Sequence, residues 1–349
     1  MTKIENITSK MHKIISEKLI SGDMSLPTES SLCTEFDCSR QTIRKVLLNL
    51  KEEKLITSRQ GSGYRLTGLS PDASRNHICL LFTRPDEYIY PSLIYDIEKG
   101  LSSDPSVSMV VSVSETGADY YKERTILKKL LDNPPRAILS ECFSLMASPN
   151  VDLFRELEAK GCSVIFLYGT YPNMESFPSI KEGAYDAVYD LVSSLHAKGY
   201  SRIRGVFNKN NPQEQSRFYG FISALRDLCL PFGAEAYLIA TPYGVPDALN
   251  ATNAGVDLET LTLGSDALIF CSDEVAYPCV RYLRDHGCLN LGEKPVYSFD
   301  SSYLSQVGSF KLPSISHAKE TLAGAVSERI LSIIKGQPKI SIVLPYSQL

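Results

Sequence analysis

The first 68 residues carry a pattern of apolar and polar positions that predicts three helices followed by a hairpin. Apolar side chains recur at helical spacing from Ile4 to Leu19, which predicts one amphipathic helix. Thr28 and Ser39 each precede a further helical stripe, and both residue types are common helix N-caps. Two short extended runs then flank Gly61-Ser62-Gly63 and predict a β-hairpin. Three helices and a hairpin are the elements of a winged helix-turn-helix.

A different pattern begins at His77. Continuous apolar runs alternate with amphipathic segments, which predicts an α/β fold with doubly wound parallel sheets covered on both faces. The predicted strands are Ile78–Phe82, Ser108–Val113, Ala137–Leu139, Val164–Leu167, Ile203–Phe207, Ala236–Ile239, Ala267–Phe270 and Val296–Phe299. The predicted helices are Leu93–Leu101, Tyr121–Leu131, Val151–Lys160, Gly183–Ala197, Gln215–Leu228, Val275–Asp285 and Thr321–Ile334.

A polar stretch separates the two patterns and divides the chain. At 349 residues the sequence is longer than one ordinary core supports. We therefore predict a winged helix over 1–68, a linker over 69–76 and a larger domain over 77–349.

Charge and cysteine content narrow the class of protein. Residues 1–70 hold 11 Lys and Arg against 8 Asp and Glu, whereas the whole chain has a net charge of −4. A basic head on an acidic body fits a nucleic-acid-binding head. The nine cysteines include no CxxC pair, which favours reduced, buried thiols and no metal site. Because no apolar run approaches ~20 residues and the N-terminus lacks a signal-peptide core, we expect a cytoplasmic protein without a membrane partner.

Signatures of catalysis are missing from the sequence. It contains no GxxxxGK[ST] phosphate loop, no HExxH and no GxSxG elbow, and its five histidines are scattered. We expect no catalytic residues and no cofactor, and a sugar-processing enzyme is the alternative in a different class.

The segment Leu26–Leu66, LPTESSLCTEFDCSRQTIRKVLLNLKEEKLITSRQGSGYRL, resembles winged-helix regulators of the GntR family. Members of that family run LPSE-x-x-L, VSR-x-TVR and G-x-G. The resemblance implies that the recognition helix enters the major groove by its N-terminal end and that the wing approaches the duplex. Ser30 is a departure, since many members carry Arg there. The implied DNA-contacting residues are Ser39, Arg40, Gln41, Thr42, Arg44, Arg59, Gln60 and Gly61.

The remainder of the chain resembles the LacI/GalR family, whose effector domains share the fold of periplasmic sugar-binding proteins. The matching pieces are YPSLIYDIEKGL, SRFYGFISAL, ALIFCSDEVAYPCVRYLRDHG and VYSFDSS. A GntR-type head on a LacI-type body is the combination found in arabinose repressors of Gram-positive bacteria. The resemblance implies a homodimer that binds operator DNA and is released by a small sugar effector, L-arabinose or a related pentose. Activation instead of repression stays open.

The candidate effector-binding residues follow predicted strands, where α/β crevices open. The planar fork of Arg217 suits two sugar oxygens at once. Asp300 follows the strand VYSF and matches a sugar-contacting aspartate of the family, although it could instead cap a turn with the serines after it. Tyrosines at these sites are as consistent with core packing as with stacking on a sugar. The full set is Tyr90, Glu141, Tyr168, Gln213, Arg217, Asp273, Asp300 and His317.

Overall fold

The computed structural model describes residues 3–21, 23–53, 55–59, 63–67, 77–102, 110–240, 253, 255–307, 310–316 and 319–346. Besides its helices and strands, the described part of the chain has short 3₁₀ turns at Ala234–Ala236 and Tyr303–Ser305.

The N-terminal part is a winged helix-turn-helix with its own core. Its elements are α1 (Lys3–Ser21), α2 (Glu29–Glu35), α3 (Arg40–Glu52), β1 (Ile56–Arg59) and β2 (Gly63–Leu66), with β1 and β2 antiparallel. Thr28 caps α2 by accepting from the Ser31 amide, and Ser39 caps α3 by accepting from the Thr42 amide, as predicted. The apolar faces of the three helices and the hairpin bury a common cluster around Met11, Leu32 and Leu50.

A six-stranded parallel sheet forms one half of the larger domain. In spatial order its strands are β13, β7, β6, β5, β3 and β4. Their bounds are β3 (His77–Phe82), β4 (Val110–Glu115), β5 (Ala137–Glu141), β6 (Ser163–Leu167), β7 (Ser179–Glu182) and β13 (Ile342–Leu344). The helices of this half are α4 (Tyr90–Leu101), α5 (Tyr120–Asp132), α6 (Val151–Ala159) and α11 (Lys319–Ile334). Apolar clusters on both faces of the sheet explain why its strands are continuously hydrophobic.

A five-stranded parallel sheet forms the other half. Its spatial order is β12, β11, β10, β8 and β9. The bounds are β8 (Ile203–Phe207), β9 (Tyr237–Ile239), β10 (Ala267–Phe270), β11 (Val296–Phe299) and β12 (Ser314–Ile315). The helices are α7 (Ala184–Ala197), α8 (Pro212–Asp227), α9 (Leu258–Leu263) and α10 (Asp273–Asp285). A side chain at Gly220 of α8 would collide with the carbonyl of Tyr185, so glycine lets α7 and α8 pack closely here.

The chain passes repeatedly between the two halves. It leaves the first sheet after β7, returns to it in α11, and adds β13 beside β7. The amide of Gly183 donates to the Leu344 carbonyl at 2.8 Å, so two of these passages are tied together. Two lobes joined by several short passages have the geometry of a hinge.

The predicted fold class is confirmed, and the eight predicted strands coincide with observed ones. Residues 103–109 lie outside the described ranges, so the start of the strand predicted from Ser108 is not described. Four short elements were not predicted: β7, β12, β13 and α9. In the part of the chain that the structure describes, no helix is long and apolar enough to cross a membrane.

Candidate ligand-binding cleft and nucleic-acid interface

Residues that follow the carboxyl ends of strands from both sheets line one cavity of about 190 Å³. Parallel strands place their carboxyl ends on the same edge of a sheet, which is where α/β folds bind ligands. Because the two sheets face each other here, the cavity lies between the halves. The first half contributes Thr83, Arg84, Tyr88, Ile89, Tyr90, Gly117, Ala118, Glu141, Phe143 and Tyr168, and the second half contributes Asn208, Asn210, Asn211, Gln213, Glu214, Arg217, Ser272, Glu274 and Asp300.

Arg217 lies at the centre of the polar contacts and is only 2% exposed. Its Nη1 donates to the Cys271 carbonyl at 2.6 Å, and its Nη2 donates to Asp300 Oδ1 at 2.5 Å and to the Tyr346 hydroxyl at 2.6 Å. The Nε atom is buried and has no hydrogen-bond partner among the described residues. Burial by itself would lower the pKa of Arg217, but Asp300 and its other acidic neighbours raise it, so the side chain is a permanent cation.

Glu141 is held by donors from its own half. The amide and hydroxyl of Thr83 donate to Oε2 at 2.8 and 2.9 Å, and the Tyr90 hydroxyl donates to Oε1 at 2.7 Å. Burial raises the pKa of the Glu141 carboxyl, whereas these hydrogen bonds lower it. The carboxylate therefore has a fixed position in the cavity wall.

Tyr168 is buried, yet its hydroxyl has no hydrogen-bond partner among the described residues. Its backbone has a φ of +67°, and Gly169 after it has a φ of +151°. An unpaired buried hydroxyl is destabilising until a partner arrives. The strained bend holds this donor in the cavity wall, as expected of a ligand-binding site.

Arg84 and Tyr88 of the first half make polar contacts with the second half across the cleft. Arg84 donates from Nη1 and Nη2 to the two carboxylate oxygens of Glu274, at 2.8 and 2.9 Å. The Tyr88 hydroxyl donates to Asp300 Oδ2 at 2.7 Å. Tyr88 and Asp300 both have positive φ, +55° and +91°. The conformation described here is thus a closed one.

Glu182 and Tyr346 were missed by sequence reasoning. Tyr346 donates to Glu182 Oε2 at 2.8 Å, and the side-chain amide of Gln213 also donates to that oxygen. Burial raises the pKa of Glu182 to about 7. Both residues accompany the unpredicted strands β7 and β13, so no strand pattern pointed to them.

The structure does not bring Asp273 to the lining of the cavity, so its position gives the predicted role in ligand binding no support. Asp273 is fully buried at the start of α10. Its carboxylate accepts from the Ser298 hydroxyl and from the amide and hydroxyl of Ser302, at 2.7 and 2.9 Å for Ser302. These bonds fasten the loop after β11, so Asp273 positions that loop. His317 lies outside the described residues.

The N-terminal end of α3 presents the predicted DNA-contacting residues. Arg40, Gln41 and Arg44 are exposed, while the Ser39 hydroxyl is used for capping. Arg40 donates to the Ser30 hydroxyl at 3.4 Å, and Arg44 pairs with Glu29 at 3.1 Å. Both arginines therefore make polar contacts with α2 on the exposed side of the winged helix.

The wing is described only in part. The Tyr64 hydroxyl of β2 donates to Glu29 at 3.4 Å, so the hairpin contacts the same carboxylate as Arg44. The predicted contacts Gln60 and Gly61 lie outside the described residues, as does the side chain of Arg59.

Fold and sequence matches together define the class of this chain. Residues 4–66 match the model of the family described as bacterial regulatory proteins, gntR family. The remainder has the fold of LacI-type transcription regulators and periplasmic binding proteins. The chain therefore combines a segment that matches the GntR family with a domain that has the fold of LacI-type regulators, and the resemblance noted in the sequence is confirmed.

Among individual proteins, this chain is similar to the arabinose metabolism transcriptional repressors of two bacteria. The protein from Halalkalibacterium halodurans is 24% identical over 97% of this chain and 91% of its own length. That from Geobacillus stearothermophilus is 24% identical over 91% and 88%.

Two solved structures show how far the fold likeness extends. A complex of the transcriptional regulator CelR with cellobiose matches 95% of this chain and 93% of its own, at a TM-score of 0.65 and 14% identity. A periplasmic binding protein/LacI transcriptional regulator from Alkaliphilus metalliredigens QYMF, complexed with D-xylulofuranose, matches 78% and 97%, at a TM-score of 0.64 and 17% identity.

Proposed function

We propose that the chain is a sugar-responsive transcriptional repressor whose winged helix binds operator DNA and releases it when the cleft takes a small sugar. The observation that carries this proposal is the buried Arg217 in a closed polar cavity on the same chain as a GntR-type domain. The similar proteins are named as transcriptional regulators, which supports a regulator over an enzyme.

The chemistry of the cleft suits a monosaccharide. Ligand sites for drug-sized molecules span roughly 300–1,000 Å³, whereas this cavity has about 190 Å³. Hydroxyl groups need both donors and acceptors, and the walls supply them from Tyr168, Arg217, Glu141 and Asp300. L-arabinose or a related pentose is the proposed effector, supported by the names of the similar proteins.

The proposed switch couples closure of the two halves to the spacing of two DNA-binding heads. A C2 homodimer places its heads on the two halves of a pseudopalindromic operator. A sugar that binds one conformation of the cleft more tightly shifts the population toward it, and the coupling is typically ~1–3 kcal/mol.

A DNA-release experiment tests the proposal. We would select operator DNA from a random library with the full-length protein, then measure its affinity with and without each sugar in a pentose and hexose panel. We expect one sugar to weaken operator binding by about 5- to 150-fold. Turnover of a sugar without any effect on DNA binding would favour the enzyme instead.

The recognition helix has its own test. Arg40→Ala should weaken operator binding by ~1–3 kcal/mol, because Arg40 is exposed at the end of α3 that enters the major groove. Random-sequence DNA is the control, and the ratio of operator to random-sequence affinity should fall. An unchanged ratio would remove Arg40 from the base-reading set.

A further inference from the structure

The cavity carries more negative than positive side chains. Four carboxylates line it, from Glu141, Glu214, Glu274 and Asp300, against the two guanidinium groups of Arg84 and Arg217. Arg84 is paired with Glu274 and Arg217 with Asp300. The excess of negative charge in the cavity therefore comes from Glu141 and Glu214.

The carboxylates of Glu141 and Glu214 differ in the number of hydrogen bonds that they accept from the protein. Glu141 accepts three hydrogen bonds, from Thr83 and Tyr90. Glu214 accepts one long hydrogen bond, from the Asn210 amide at 3.3 Å to Oε2. It lies in the first turn of α8, three residues after the N-cap Asn211. Part of its carboxylate is thus available to a ligand, beside the buried and unpartnered Tyr168 hydroxyl and Arg217 Nε that line the same cavity.

We propose that Glu214 selects the effector by charge, so that the cleft accepts neutral monosaccharides such as pentoses, binds aminated monosaccharides more tightly, and rejects acidic sugars such as uronates and sugar phosphates. This inference rests on the proposed function for the identity of the site as a sugar cleft. A negative ligand would meet the ionised Glu214 carboxylate in a space of low dielectric constant, where like charges repel strongly, while Arg217 is already paired with Asp300. A ligand ammonium would supply the missing counter-charge.

The pH dependence of selection follows from the surroundings of Glu214. The charged groups that share its cavity are Arg217 on its own helix, Asp300 and Glu274 in the same half, and Arg84 and Glu141 in the other half. Burial raises the pKa of Glu214 to about 7 against the lowering effect of Arg217. Glu214 is therefore more fully ionised at pH 8 than at pH 6, and the rejection of acids should be stronger at pH 8.

Two variants separate the charge of Glu214 from its structural role. Glu214→Gln removes the charge, while glutamine at this third helical position still supports the capping arrangement. Asp186→Asn is the matched control, because Asp186 is an exposed acid in the first turn of α7 and does not line the cavity. Both variants lose one negative charge from the same half of the domain.

The experiment measures binding of D-galactosamine, D-galactose and D-galacturonate, and of the matching glucose series, to the full-length protein by titration calorimetry. In the native protein we expect the amine to bind at least about tenfold more tightly than the acid. Glu214→Gln should reduce that ratio about tenfold, whereas Asp186→Asn should leave it unchanged. The ratio of neutral to acidic affinity should also rise from pH 6 to pH 8 in the native protein and in Asp186→Asn, but not in Glu214→Gln.

Two results would overturn the inference: native protein that binds acid and amine equally, or a ratio that Glu214→Gln leaves unchanged. Failure of the proposed function is distinguishable, because the same ligands would then bind with the expected ratios while operator affinity stayed constant.

Discussion

At the scale of single residues, Arg217 connects several polar groups of the cleft. It is a buried cation whose contacts reach Asp300 directly and Tyr346 at the passage between the halves. Removal of one partner from such a pair leaves the other charge buried and uncompensated. The same side chain therefore stabilises the closed cleft, and under the proposed function it also contacts the ligand.

Arg217→Lys should remove the sugar response while operator binding without sugar persists. Lysine keeps the charge but loses the planar fork that holds Asp300 and the Cys271 carbonyl together. The measurement is operator affinity with and without the effector, and Arg226→Lys, on an exposed position of the same helix, is the control. A native-like release by sugar would show that the fork is not needed.

Glu123 makes a pH-dependent contribution to stability away from the cleft. Glu123 is fully buried, and its carboxyl accepts a hydrogen bond from the side-chain amide of Asn150 at 2.7 Å. Burial raises the pKa of this carboxyl to about 7. The native state then holds a proton that the unfolded state has lost between pH 4.5 and 7, so this group makes stability fall as pH rises through that window. Glu123→Gln should remove the fall, which amounts to about 3 kcal/mol.

The readout for Glu123→Gln is the free energy of unfolding by urea at pH 5 and at pH 8. We expect Glu123→Gln to have a higher free energy of unfolding than the native protein at pH 8 and nearly the same free energy of unfolding at pH 5. Equal differences at both pH values would mean that the carboxyl is ionised throughout, held by Asn150 and Tyr171.

At the scale of secondary-structure elements, α3 depends on a short cap. Ser39→Ala should cost about 1 kcal/mol, because the Thr42 amide loses its acceptor at the helix start. Ser39→Asp keeps an acceptor and is the control for stability. Thermal unfolding of the winged helix would report both, and an unchanged melting temperature in Ser39→Ala would show that water replaces the cap without loss.

Element length explains which parts of the fold could be predicted from sequence. Long periodic helices and buried strands such as Ile78–Phe82 carry their own signal. Glu141 and Asp300, which follow predicted strands and line the cavity, could be named along with them. Strand β12 has two residues and β13 has three, too few to show a period. Glu182 and Tyr346 could therefore not be placed, because their position depends on β13 pairing with β7 across 160 residues of chain.

Asp273 shows the opposite limit of sequence reasoning. A carboxylate after a strand and at a helix start has the signature of a ligand-binding group, and its neighbours Ser272 and Glu274 do line the cavity. The direction of the side chain decides the role, and here it is turned toward Ser298 and Ser302. One sequence pattern serves both roles, so only the folded geometry separates them.

At the scale of the whole molecule, the Arg84–Glu274 pair sets how readily the two halves separate. Both side chains are more than a third exposed, which limits the pair to roughly 0.5–1 kcal/mol. Arg84→Ala and Glu274→Ala should each weaken effector binding by about two- to fivefold, since a closed cleft becomes less populated.

The double variant tests that the two side chains act together. If the two side chains act only as an ion pair, the double variant Arg84→Ala with Glu274→Ala should lose no more effector affinity than either single variant. Calorimetric titration with the effector supplies the affinities. Additive losses would show that each side chain contacts the sugar separately.

The bends at Tyr88, Tyr168 and Asp300 restrict how this regulator could be retargeted as a biosensor. Each has a left-handed backbone, a conformation that β-branched residues adopt with great difficulty. Val, Ile and Thr should therefore be left out of any mutant library at these three positions. Diversity is better introduced at Gln213, which has an ordinary helical backbone and a side chain that lines the same cavity.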